Sequence, residues 1–86
     1  MNSAQVNRRI TKFLRDLSDP GTFRMRGKGH PICVASYGGE QRSFSLASSA
    51  SSNYQVYATR NVNRFVRSLP LEKPPRFSLH KFYDDL

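Results

Sequence analysis

The 86-residue sequence predicts a small α+β domain in which two amphipathic helices flank three short antiparallel strands. Apolar residues recur at helical spacing near the start of the chain and again in its second half. Between these stripes lie three short segments of strand character. Gly38-Gly39 joins the last two segments, and paired glycines suit a two-residue hairpin loop because both positions need positive φ.

The first helix is expected over residues 3–17, where Val6, Ile10, Phe13, Leu14 and Leu17 share one face and Ser3 is placed to cap it. Arg8, Arg9, Lys12, Arg15 and Asp16 fall mostly outside that stripe. Asp19-Pro20-Gly21 ends the helix, because proline cannot continue it and glycine accepts the turn. Residues 22–26 alternate, with Phe23 and Met25 on one side and Arg24 and Arg26 on the other. Residues 31–37 include Ile32, Cys33, Val34 and Ala35, apolar enough for a buried strand. The return strand, 40–47, points Phe44 and Leu46 one way and Ser43 and Ser45 the other.

The run Ser48-Ser49-Ala50-Ser51-Ser52 reads as a flexible linker by composition alone. The residues after it change that reading. Tyr54, Ala58, Val62, Phe65, Val66 and Leu69 form a second helical stripe, so Ser51 or Ser52 can cap a helix whose N-terminal N–H groups favour an anion. Arg60, Arg64 and Arg67 lie off the stripe as a basic ridge. Pro70, Pro74 and Pro75 end this helix and begin an extended linker. Leu79, Phe82, Tyr83 and Leu86 then share one face of a short final helix that Ser78 can cap. So short a helix needs a surface to dock on, whether its own domain, a second copy as a homodimer, or another protein. The expected organisation is a domain over 1–69 and an appended segment over 70–86.

Charge is distributed unevenly. The formal net charge is +8, and residues 1–67 hold eleven of the fourteen Lys and Arg against Asp16, Asp19 and Glu40 alone. Such a domain attracts polyanions, RNA or another nucleic acid, with salt-sensitive affinity. Arg24, Arg26, Lys28, Arg42, Ser51, Ser52, Arg60, Arg64 and Arg67 are the candidate contacts. One cysteine, Cys33, allows no intrachain disulfide and fits a reducing cytoplasm. No apolar run approaches the ~20 residues that span a bilayer, and the N-terminus lacks the apolar core of a signal peptide. No membrane, cofactor or metal is expected: His30 and Cys33 fall short of the four ligands a structural zinc takes, and Gly27-x-Gly29 lacks the third glycine of a dinucleotide fingerprint.

His30 is the candidate catalytic residue. It follows Arg24, Arg26 and Lys28 in a turn broken by Gly27 and Gly29, so cations and closely approachable backbone surround an imidazole that takes and gives protons near neutral pH. At a ribose–phosphate linkage that group serves metal-free transesterification: base for the 2′-hydroxyl or acid for the departing 5′-oxygen. Arg26 and Lys28 then offset the charge of the phosphorane.

The helix–three strands–helix order is that of double-stranded-RNA-binding-like domains, with both helices on one face of the sheet. Within it, Gly27-Lys28-Gly29-His30 resembles the glycine-serine-histidine turn of the HicA family, small toxins of bacterial toxin–antitoxin pairs, with Gly29 in place of the serine. The serine run 48–52 and the helix after it are similar to that family's Thr-Pro-Ser-Asp loop and arginine-bearing helix, with Arg60, Asn61 and Arg64 at its basic and amide positions. Ala50 stands where proline is common, and Asn53 sits near the acidic position. The resemblance covers residues 3–69 and implies RNA binding, mRNA cleavage through the histidine, and an antitoxin that covers the site. The alternative is a non-catalytic, phage-type regulator that uses the same fold and its Leu79/Phe82/Tyr83/Leu86 stripe to bind a host protein or nucleic-acid complex.

Overall fold

The computed structural model describes residues 3–27, 31–47 and 52–79. Helix α1 spans Ser3–Leu17, strands β1, β2 and β3 span Arg24–Arg26, Ile32–Tyr37 and Glu40–Ser45, and helix α2 spans Ser52–Ser68. The strands form an antiparallel meander in the order β1-β2-β3. Cys33, Ala35, Phe44 and Leu46 form one core with Val6, Ile10 and Leu14 of α1 and Ala58, Val62, Phe65 and Val66 of α2, so both helices cover the same face of the sheet. The expected α+β architecture is therefore present.

Local chemistry explains the joints. Ser18 accepts the Ser36 N–H at 3.2 Å and donates its hydroxyl to the Leu14 carbonyl at 2.7 Å, which satisfies a buried polar side chain and ties the end of α1 to β2. Asp19 accepts the Gly38 N–H at 2.9 Å, and its own N–H donates to the Ser36 carbonyl at 2.8 Å. The hairpin loop is thus clamped to the turn that ends α1. Gly38 and Gly39 have φ of 55° and 90°, the left-handed pair that a type I′ loop requires.

Strand pairing sets which groups face outward. Arg24, Val34 and Ser43 are cross-strand neighbours, as are Arg26, Ile32 and Ser45. These residues line the sheet face opposite the helices, so the expected alternation of Phe44 with Ser43 and Ser45 holds. A two-residue loop makes Tyr37 and Glu40 a hydrogen-bonded pair, and the Leu46 N–H donates to the Pro31 carbonyl at 2.9 Å in the same phase. Hence the backbone of Gln41, Ser43 and Ser45 points away from β2, along the free edge of the sheet.

The segment after α2 holds the main departure from sequence expectation. Within this proline-containing stretch Phe77 is only 3% exposed and meets the Phe13 ring edge-on, with centroids 5.1 Å apart. The Asn63 side chain accepts the Phe77 N–H at 2.8 Å and donates to its carbonyl at 2.9 Å. Phe77 is therefore a core residue that no helical or strand periodicity marks. Leu71 and Leu79 pack partly buried against the same core, so Leu79 docks on its own domain. Phe82, Tyr83 and Leu86 lie outside the described residues. Among the described residues no helix is long and apolar enough to cross a membrane.

Candidate nucleic-acid interface

The described cations of the sequence prediction fall on two surfaces. Arg24 and Arg26 are exposed on the outer sheet face, across from Val34 and Ile32 of β2. Arg42 has the opposite phase on β3, pairing across from Ala35, and so leans towards the helix layer. Its guanidinium lies 5.7 Å from the centroid of the Phe65 ring. That cation–π contact holds the group while leaving the residue exposed.

Arg42 forms one wall of a cleft of about 470 Å³ between the edge strand and α2. Ile10, Phe44, Ala58 and Val62 give it an apolar floor, and Ser43 and Ser45 bring the free strand edge to its side. Tyr54, Tyr57 and Asn61 of α2 form the other wall. Arg60 follows Tyr57 by three residues and Arg64 follows Asn61 by three, so helical geometry places both arginines on the rim continuous with that wall. Both are exposed, as is Arg67. Among the described residues no Asp or Glu lines the cleft.

Its two tyrosines differ in freedom. Tyr54 is half-buried, and its hydroxyl donates to the Asn7 side-chain oxygen while the Asn7 amide donates to the Ala47 carbonyl at 2.7 Å. Burial pushes the Tyr54 phenol above its ordinary pKa, so it remains a protonated donor at neutral pH. This network joins α1, the end of β3 and the first turns of α2, and so fixes the cleft's width. Tyr57, 59% exposed, is free to meet a ligand. Tyr37 packs partly buried against the core on the same face.

His30, Lys28 and Ser51 lie outside the described residues. Gly27, just before them, has φ of 97°, a left-handed conformation that glycine accepts without strain. Ser52 is the first residue of α2. Among the described residues no three His, Cys, Asp or Glu side chains gather as a metal site would require. The sequence alone did not reveal Asn7 as the strut of the cleft or the Ser43 and Ser45 backbone as part of its wall. The paired glycines hinted at the second, because a two-residue loop dictates which backbone groups of the return strand face outward.

Cys33 is fully buried in β2, and desolvation pushes its thiol from the ordinary 9.0 up to about 11. It is an inert core group. Below pH 9.0 the thiol is protonated in both folded and unfolded chains. Between there and about 11 the unfolded chain releases a proton that the folded one keeps, so Cys33 makes stability fall as pH rises through this window. The loss is roughly 2–3 kcal/mol at its limit. Urea titrations across that window are expected to show a flatter decline for Cys33→Ala than for wild type; equal declines would contradict this assignment.

No protein-family model matches the chain, and no curated protein or solved structure matches it either.

Proposed function

We propose that this protein is a basic RNA-binding protein of HicA type whose α2 ridge and β3 edge hold a ribonucleotide strand, with strand cleavage assigned to His30. The observation that carries the binding reading is the set of exposed arginines, Arg42 in the wall of the cleft and Arg60 and Arg64 along the helix that borders it, with no carboxylate among the described residues that line it. On a chain of net charge +8, such a surface favours a polyanion, and the exposed Tyr57 adds a ring on which a base can stack. Arg24 and Arg26, on the outer sheet face, precede His30 closely in sequence and add to the positive charge of the domain. A partner that neutralises such a protein would have to compete for the same cations.

The test is to incubate purified protein with RNA in chelator, beside His30→Ala. Salt-sensitive retardation of RNA by both proteins is expected, with cleavage by wild type only. Intact RNA in both samples removes the nuclease assignment, and the absence of retardation removes the RNA-binding reading.

A further inference from the structure

The geometry points to the β3–α2 cleft as a pocket for an unpaired nucleobase, which makes single-stranded RNA, rather than duplex, the ligand class of this protein. The assignment rests on the RNA-binding reading above and goes beyond it by naming what enters the cleft.

Three features converge there. The first is Tyr57, a residue 59% exposed on the α2 wall although it lies beside the buried Ala58. An exposed tyrosine on the wall of a basic cleft offers a stacking surface to any base, because every base has a π-face. The second is the free edge of β3. Ser43 and Ser45 line the cleft, and strand phase turns the N–H and C=O of each away from β2. One residue of an edge strand thus offers an adjacent donor and acceptor. The Watson–Crick edge of each RNA base carries an adjacent donor and acceptor of its own, so the main chain can pair with a base only once that base has left its duplex. Asn61 adds an amide that can donate and accept on the opposite wall.

The third feature is the distribution of charge. Arg42 is held over Phe65 on the strand side, while Arg60 and Arg64 stand about one helical turn apart on the helix side. Phosphates flanking an inserted base would meet a guanidinium on either rim, and Arg pairs with phosphate through two parallel N–H groups. A base-paired duplex keeps its bases stacked and its pairing edges occupied, so it can offer this cleft only phosphates. The floor of Ile10, Phe44, Ala58 and Val62 suits the flat apolar body of a base.

The experiment compares fluorescence anisotropy of a short labelled single-stranded RNA with that of the same strand annealed to its complement, at one fixed salt concentration. Wild type is expected to bind the single strand about tenfold or more tightly than the duplex. Tyr57→Ala should weaken single-strand binding by about five- to a hundredfold, as loss of a base-stacking ring does, while Tyr57→Phe retains it. Ser43→Pro removes one outward N–H without breaking the β2–β3 ladder, so it should weaken single-strand binding while its thermal transition stays cooperative. Equal affinity for single strand and duplex, or wild-type binding by Tyr57→Ala, overturns the pocket and leaves the RNA-binding reading standing. In that case the cleft is open to another occupant, an added peptide strand among them. Failure of wild type to bind either RNA overturns both.

Discussion

Replacing Phe77 by alanine is expected to destabilise the domain by about 3–5 kcal/mol, the range for deleting a buried phenyl group. Native domains carry roughly 0.05–0.15 kcal/mol per residue, so this is a large share of what so short a chain has. The ring closes the packing between the helices through its edge contact with Phe13, and the Asn63 amide anchors its backbone at both ends. Leu71 and Leu79 lose their registration if that anchor goes. Urea denaturation should show a lower midpoint with a nearly unchanged slope. Lys73→Gln, at an exposed position of the same segment, should leave the midpoint close to wild type. A loss below about 1 kcal/mol for Phe77→Ala would mean that this stretch is not part of the core.

Neutralising Arg60 and Arg64 together is expected to give the largest functional loss. Both residues are exposed on the helix that borders the cleft, so replacing them leaves the core untouched. A charge-assisted hydrogen bond contributes roughly 1.5 kcal/mol or more, so each loss weakens binding about tenfold and the pair about a hundredfold. Release of counterions gives an independent signature. For single strands the slope of log affinity against log salt is about −0.7 per phosphate contact, so Arg60→Gln/Arg64→Gln should make it shallower by about 1.4. A parallel drop in affinity with an unchanged slope would mean that these residues act through shape instead. Lys73→Gln serves again as the control, changing net charge by one away from the cleft.

What could be read in the sequence follows from the range of the forces involved. The helices were legible because Val6, Ile10 and Leu14, and then Ala58, Val62 and Phe65, repeat at the period of the structure they form. The hairpin was legible because Gly38-Gly39 is a local solution to a local backbone demand. Phe77 was not. Its burial depends on Phe13 and Asn63, which the fold brings to it from two helices, and nothing within its own extended segment has a period. The polar struts share that non-local origin: Asn7 spans forty residues to Ala47, and Ser18 eighteen to Ser36.

The candidate site divides in the same way. Arg60 and Arg64 could be singled out as an off-stripe ridge from helical spacing alone. That the ridge overlooks an edge strand, and that Arg42 faces it while Arg24 and Arg26 occupy the opposite sheet face, depends on strand order and register. Helical spacing puts Tyr54 on the apolar stripe of α2 and Tyr57 off it, but does not say what either one meets. Packing separates them, binding Tyr54 to Asn7, setting Tyr37 against the core and leaving Tyr57 exposed.

On the proposed reading, RNA settles on the α2–β3 side, where arginines and an exposed tyrosine border one cleft. The most direct measurement is a titration of isotope-labelled protein with a short single-stranded RNA, following every backbone amide by heteronuclear NMR. The largest shifts are expected at Arg42, Ser43, Ser45, Tyr57, Asn61 and Arg64, and they should shrink as salt is raised. Shifts confined to α1 and the Phe77 segment, or scattered evenly over the domain, would show that RNA does not bind at the cleft.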